Sequence, residues 1–293
     1  MDYIGRIFRP PSEAESMLLQ VTVGCSHNKC TYCAMYSDGE QKFKVKPWET
    51  VKADIDEIAN SGYQPRRMFL CDGDALILST NKLCKILEEI RTSIPTVRRV
   101  GIYGDARSVL KKSVDELKQL KDLGLGIVYH GVESGSDQVL ENICKGSTAE
   151  QAVETAHRLK EAGIRHSVIV MLGVGGTELS EIHATETAKI LTAMDPPFVG
   201  ALTTTVVPGT PMNAAQLAGE FTLPDPWQML DELRTIIDKA ELTRCAFHSN
   251  HASNYLPLRL NLPTDREKGL QLIDEILSQR DPSMLKDERL RGL

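Results

Sequence analysis

The chain has 293 residues, of which 41% are hydrophobic, with a formal charge of −6 and seven cysteines. That length buries one large α/β core or two small ones, and the acidic balance leaves no electrostatic footprint for a nucleic-acid backbone, because the basic runs at 42–46, 66–67 and 98–99 are short and scattered. No apolar run reaches membrane-spanning length, 1–15 lacks the apolar core of a signal peptide, and an odd cysteine count argues for reduced thiols or metal ligation over a disulfide framework, so a cytoplasmic protein is expected.

In chain order, short apolar and often β-branched runs predict strands at 17–23, 67–70, 97–103, 126–132, 167–172 and 199–207. Amphipathic helices fill the gaps. Leu83, Ile86, Leu87 and Ile90 form one apolar stripe. Ser113 and Glu116 fit a capping box ahead of Leu117, Leu120 and Leu123, with Gly124 as the stop. Thr148 and Gln151 repeat that pattern before Ala152, Val153, Ala156 and Leu159, and Gly163 closes it. The tail at 265–293 reads as a helix carrying Leu270, Ile273, Ile276 and Leu277, then a charged end.

A βα series of this kind implies a parallel sheet with right-handed crossovers, either open or curled into a barrel. Six units fall short of the eight that close an ordinary barrel, so the expected fold is α/β, a partial (β/α)6 TIM-like barrel with a C-terminal extension. The corresponding division is an N-terminal extension at 1–15, the barrel at 16–240 and a capping extension at 241–293. Chemistry in either architecture belongs at the carboxyl ends of the strands. Those ends read Cys25, CDGDA (71–75), GDAR (104–107), ESGS (133–136), GVGG (173–176) and PGT (208–210). Glycines and acids are ordinary turn residues, but their recurrence at every strand end describes a polar ring around one mouth.

The segment GCSHNKCTYCAMY (24–36) places Cys25, Cys30 and Cys33 on that rim in C-x4-C-x2-C spacing. Zinc would need a fourth ligand, and His27 sits awkwardly for one because structural zinc sites pair two short knuckles across a longer loop. Plant-type ferredoxins open with the same spacing but take a fourth cysteine; the later ones here are Cys71, Cys84, Cys144 and Cys245. The remaining reading is a 4Fe–4S cluster on three cysteines, which leaves one iron open for chemistry.

With these residues in place the chain resembles the radical S-adenosylmethionine (SAM) superfamily, whose usual signature is C-x3-C-x-aromatic-C after the first strand of a partial (β/α)6 barrel. Tyr32 holds the aromatic position, and the departure is one extra residue between the first two cysteines. CDGDA looks like the glycine-rich SAM-amino motif, with Gly73 and Asp74 in place of the usual Gly-Glu. The run from VYHGVESGSDQVLENICKG (128–146) through AHRLKEAGIRHSVIVMLGVGG (156–176) is similar to the Elp3, MiaB and coproporphyrinogen-dehydrogenase-like branch.

The resemblance implies that Cys25, Cys30 and Cys33 bind three irons while the amino and carboxylate groups of SAM chelate the fourth. An electron from a donor such as flavodoxin or ferredoxin would then give methionine and a 5′-deoxyadenosyl radical that abstracts hydrogen from substrate. Gly73 and Asp74 would hold the amino group, Glu133 and Ser134 would reach the ribose or methionine, Arg158 is a candidate for the carboxylate, and the stretch from Val170 to Gly173 would edge the adenine. Asp74 as a cap for the segment after it, and Arg158 as the ion-pair partner of Glu154 or Glu161, are the structural alternatives.

Beyond the barrel, CAFHSNHASNYLPL (245–258) concentrates amides and imidazoles; Asn250, His251 and Asn254 are the substrate candidates there, with Tyr103, Asp105 and Arg107 from the third strand. A cap whose Asn and Ser side chains satisfy backbone groups is the alternative. No second cysteine group, cobalamin-binding region or basic appendage is evident, so a small-molecule substrate is expected, with neither nucleic acid nor membrane as partner. Two classes stay open: an oxygen-sensitive radical SAM enzyme, and a non-catalytic cluster or haem carrier on the same fold, for which His248 and His251 would be haem ligands.

Overall fold

The structure, a computed structural model, describes residues 1–36 and 41–292. β1 (Met17–Gln20) and β2 (Thr22–Val23) lead into the cysteine loop, and β3 (Lys44–Val45) returns antiparallel to β2. There follow α1 (Trp48–Asn60), β4 (Arg67–Cys71), α2 (Thr80–Ser93), β5 (Arg99–Tyr103), the short α3 (Ala106–Leu110), α4 (Val114–Asp122) and β6 (Leu125–Glu133). The chain continues through α5 (Asp137–Asn142), α6 (Ala149–Glu161), β7 (Arg165–Leu172), α7 (Ser180–Met194), β8 (Phe198–Thr203), α8 (Pro211–Leu217) and α9 (Pro226–Lys239). It ends with β9 (Cys245–His248), β10 (Arg259–Leu262) and α10 (Arg266–Gln279).

The main sheet has eight strands in the order β1, β4, β5, β6, β7, β8, β9, β10. β1 pairs in parallel with β4, β4 with β5, β5 with β6, β7 with β8 and β8 with β9, while β10 turns back antiparallel to β9. β6 reads LGIVYHGVE with almost every residue buried, the near-continuous apolar run of a parallel strand covered on both faces.

Three features differ from the sequence expectation. The first strand breaks after Gln20, whose buried amide accepts the Ile4 N–H at 2.8 Å and donates to the Ile4 carbonyl at 3.0 Å and to Asp72 Oδ2 at 2.7 Å. The 245–258 segment, expected as a polar extension beyond the barrel strands, opens as β9: Cys245 and Phe247 are buried in alternation with half-buried Ala246 and exposed His248. The reading also stopped short of β10, whose Leu260 and Leu262 are buried between exposed Arg259 and Asn261.

The helix ends form as expected. Ser113 Oγ accepts the Glu116 N–H at 3.1 Å and Glu116 Oε2 accepts the Ser113 N–H at 2.8 Å, a cap that stabilises α4 by about 1 kcal/mol. Thr148 and Gln151 make the same reciprocal pair at 3.1 and 3.2 Å. The stop at Gly124 has φ +109°, which a side chain would resist.

The chain divides into two compact units: Met1–Asn28 with Met35–His130 and Glu154–His166, and Lys29–Ala34 with Gly131–Val153 and Ser167–Leu293. The first packs Leu19, Ile55, Met68, Leu70, Leu87, Ile102 and Leu120 into one core. Its N-terminal segment is bound in by a buried Lys46–Asp54 pair at 3.0 Å and by Glu13, wholly buried, which accepts from Tyr129 Oη and Arg99 Nη2 at 2.5 Å each. Buried charges persist only when paired and hydrogen-bonded in this way. The second unit has a smaller cluster around Val139, Leu140, Ile143, Val174 and Met212, with Tyr32 packed on it. Among the described residues no helix is long and apolar enough to cross a membrane.

Candidate functional site

Of the motif cysteines, Cys25 lies in the first unit and Cys30 and Cys33 in the second, and each is half-buried. In the first unit the loop after β4 runs against Cys25. The Gly73 N–H donates to the Gly24 carbonyl at 3.3 Å, and a Cβ on Gly73 would lie 2.8 Å from Cys25 Cβ and 3.2 Å from its sulfur, so only glycine admits this approach.

Asp74 follows with its carboxylate buried. It accepts from the Ser26 hydroxyl, from Ser108 Oγ at 2.6 Å and from the Asp105 N–H at 3.1 Å. The residue stands at an N-cap position, yet its side chain makes no capping bond to the short turn after it. Burial pushes its pKa up to about 6 against these donors. Asp105 caps α3 by accepting the Arg107 N–H at 3.0 Å, and the same oxygen takes Arg107 Nε at 2.8 Å. Arg107 Nη1 in turn lies 2.9 Å from His27 Nδ1, so two of the third-strand candidates are joined to the cysteine loop. Tyr103 stands edge-on to Phe69 and Tyr129, with centroids 5.0 and 6.2 Å away.

Sequence reasoning passed over Asp72, which has φ +78° and accepts from Tyr36 Oη at 3.2 Å and Gln20 Nε2 at 2.7 Å. Burial raises its pKa to about 6 as well. Arg158 meets its structural alternative: Nε bonds Glu154 at 2.7 Å and Nη1 donates to the Leu110 and Lys112 carbonyls.

In the second unit the loop is pinned on both sides of Tyr32. The Thr31 N–H donates to the Ile143 carbonyl and the Thr31 carbonyl accepts the Met212 N–H, both at 2.9 Å, and the Cys33 N–H closes a turn on the Cys30 carbonyl at 3.2 Å. Tyr32 is half-buried; desolvation first, then the charge of the Glu133 carboxylate, raises its phenol well above the usual range. Glu133 ends β6 at φ +67°, a conformation strained for a side chain of its size, and Lys145 Nζ lies 3.1 Å from its Oε1. Gly131 makes room for this arrangement, since a Cβ there would fall 2.2 Å from Glu133 Oε1. Ser134 is buried with Oγ 2.8 Å from His183 Nδ1, the Gly173 N–H donates to Glu232 at 2.6 Å, and Val170 is fully buried in β7.

Within the 245–258 segment the three candidates part company. Asn254 is 1% exposed; its Oδ1 accepts from Thr203 Oγ1 at 2.8 Å and its Nδ2 donates to the Ala201 carbonyl at 2.9 Å, so both ends of the amide serve β8. His251 Nδ1 lies 2.9 Å from Ser253 Oγ, which accepts the Thr203 N–H. Asn250 is exposed, and turning its amide lets the oxygen accept from Arg259 Nε at 2.9 Å.

The thiols are half-buried in each unit, and in the first a glycine cradle lies against Cys25. Among the described residues no three His, Cys, Asp or Glu side chains are gathered for a metal ion. Asp72, Lys145, His183 and Glu232 carried no sequence signal, because each acts through a partner on another element.

The family model "Radical SAM superfamily" matches residues 19–187, more than half of the chain. Biotin synthase of Thermodesulfovibrio yellowstonii is 25% identical over 213 residues, covering 73% of this chain and 61% of that protein. The heme chaperone HemW of Bacillus subtilis is 24% identical over 205 residues, covering 69% of this chain and 52% of the chaperone. The match thus spans between half and two thirds of these relatives' length. The coproporphyrinogen III oxidase HemN of Escherichia coli, described as a radical SAM enzyme, superimposes with a TM-score of 0.56 at 16% identity, over 76% of this chain and 51% of that one. The mostly parallel eight-stranded sheet of this chain is a partial TIM-like barrel. The chain belongs to the radical SAM superfamily.

Proposed function

We propose that the protein binds a 4Fe–4S cluster through Cys25, Cys30 and Cys33 with S-adenosylmethionine beside it, and acts as a radical enzyme on a small organic substrate. The observation that carries this reading is the approach of the glycine loop after β4 to the first motif cysteine: a Cβ on Gly73 would lie 2.8 Å from Cys25 Cβ, leaving bare backbone beside a proposed cluster ligand. When bound, the cluster and SAM supply one-electron cleavage of a sulfonium C–S bond and a carbon radical for hydrogen abstraction.

The chain's own residues bind and orient. The Gly73 backbone admits the methionine amino group beside Cys25, and Asp74 offers it an anionic acceptor already aligned by Ser26 and Ser108. Glu133 and Ser134 meet the ribose or methionine, with Lys145 as the buried cation that balances Glu133. Val170 to Gly173 present β-strand backbone to the adenine. Arg158 enters this account only as a structural pair with Glu154. For substrate, Tyr103, Asp105 and Arg107 act from the end of β5, and Asn250 and His251 from the 245–258 segment, which Asn254 fixes to β8. A small flavodoxin- or ferredoxin-type protein delivers the electron.

The test is anaerobic. The reconstituted protein is given SAM and dithionite, and 5′-deoxyadenosine is quantified. Formation that disappears in Cys30→Ala together with the cluster, and persists in Cys245→Ala, supports the reading; cluster loss in Cys245→Ala would overturn the three-cysteine ligand set. The similarity to a heme chaperone favours a second reading, a cluster-bearing haem carrier. An intact cluster with bound SAM, no 5′-deoxyadenosine and stoichiometric haem binding would select it.

A further inference from the structure

The ends of β6 and β7 are held by two buried titratable side chains, His183 of α7 and Glu232 of α9, exposed by 0% and 2%. Glu232 accepts the Gly173 N–H and the Ser180 hydroxyl at 2.6 Å each, so one carboxylate ties the turn after β7 to the first residue of α7. One helical turn before it, Met229 packs on Gly173 so closely that a Cβ there would fall 2.7 Å from the methionine methyl. His183 Nδ1 lies 2.8 Å from Ser134 Oγ and 3.5 Å from Thr187 Oγ1, and that threonine oxygen accepts the Gly135 N–H at 2.9 Å. The ring's Nε2 is enclosed with no hydrogen-bond partner, 3.8 Å from Glu232 Oε2. An apolar pair would fill this volume at lower cost, so two buried ionisable groups here point to a role in holding polar backbone.

We propose that His183 and Glu232 are a positioning pair for S-adenosylmethionine: Glu232 sets Gly173 at the end of β7, and His183 sets Ser134 at the end of β6. Neither touches the cofactor. The inference rests on the reading of Ser134 and Gly173 as cofactor contacts given above.

The electrostatics of the pair agree with this. Burial holds His183 down to about 4 and pushes Glu232 up to about 7. The other groups facing them are the Ser134, Ser180 and Thr187 hydroxyls and the backbone of Met171 and Gly173, none of which titrates in this range. An ionised Glu232 offers acceptor lone pairs to both donors, whereas the protonated acid spends one oxygen on its own proton. The tether on Gly173 therefore tightens as pH rises through about 7.

The experiment measures SAM binding by equilibrium dialysis on the reconstituted full chain, with iron content and backbone amide exchange alongside. In Glu232→Ala the dissociation constant rises roughly tenfold or more, with iron content unchanged and faster exchange at 173–180. Glu232→Gln, which keeps one of the two acceptors, falls between, and it loses the gain in affinity that the wild type shows from pH 6 to 8. His183→Ala weakens binding similarly, and His183→Asn, able to reach Ser134, recovers part of it. Unchanged affinity in Glu232→Ala, or the same pH profile in Glu232→Gln and wild type, overturns the inference while leaving the cofactor reading intact. A wild-type protein that carries the cluster but binds no SAM overturns both.

Discussion

The ammonium of Lys145 sits 3.1 Å from Glu133 Oε1, with side-chain exposures of only 9% and 7%. Two opposite charges taken out of water offset one another, so deleting one is far costlier than deleting both. Lys145→Met should lower unfolding free energy by about 3–5 kcal/mol in urea titration. Adding Glu133→Gln should restore much of that loss. Equal destabilisation by the single and double variants would mean that the loss in Lys145→Met does not come from leaving the Glu133 charge unpaired.

Gly73 and Gly62 make a matched contrast. Gly62 has φ +77° and nothing within 4 Å of an added Cβ, so Gly62→Ala costs only about 1 kcal/mol of backbone strain. Gly73→Ala drives a methyl into Cys25 and Tyr36, at 2.8 and 2.9 Å, and displaces a proposed cluster ligand. Iron and sulfide content after reconstitution should drop sharply in Gly73→Ala and stay at the wild-type level in Gly62→Ala. Full cluster content in both would show that the loop after β4 can move away from Cys25 without consequence.

The cysteine loop, Gly73 and Asp74 were legible because a cluster motif and a glycine-acid turn are local patterns, readable over a dozen residues. The contacts behind other proposed cofactor residues are not local. Gly173 and Glu232 lie 59 residues apart and meet only because α9 packs on α7. β9 escaped notice for another reason. A four-residue strand shows two turns of alternation at most, and CAFH lies in a run of polar residues that satisfies backbone equally well as a loop. Asn254 illustrates the same ambiguity: its amide chemistry suits a substrate, and the fold uses it for the Ala201 carbonyl and Thr203.

Asp72 and Asp74 set a pH dependence whose sign is opposite to that of a salt-bridged acid. Burial raises both folded pKa values to about 6, above the unfolded value near 3.8. The native state therefore holds protons that the unfolded chain has lost. Their contribution is complete below about pH 4 and falls away as pH rises through about 6, by no more than about 3 kcal/mol per group. Asp74→Asn should flatten the melting temperature between pH 4 and 7 relative to wild type. An unchanged slope would place the ionised form of Asp74 as the favoured one, stabilised by Ser26 and Ser108.

Arg291 gathers the 251–255 loop to the end of β8. Its Nε donates to the Ser253 carbonyl at 2.6 Å, its Nη2 reaches Thr205 Oγ1 at 3.1 Å, and its guanidinium lies 4.1 Å from the centre of the Tyr255 ring. Lys286 adds a bond from its backbone N–H to the Tyr255 carbonyl at 2.9 Å. A planar cation that donates to backbone and stacks on an aromatic cannot be replaced by lysine, which has one compact donor group. Arg291→Lys should therefore speed amide exchange across 251–255 nearly as much as Arg291→Ala, with a stability loss of about 1–3 kcal/mol in each. Retained protection in Arg291→Lys would assign the loop's order to Asn254 and Ser253 alone, whose bonds to Thr203 are made without the arginine.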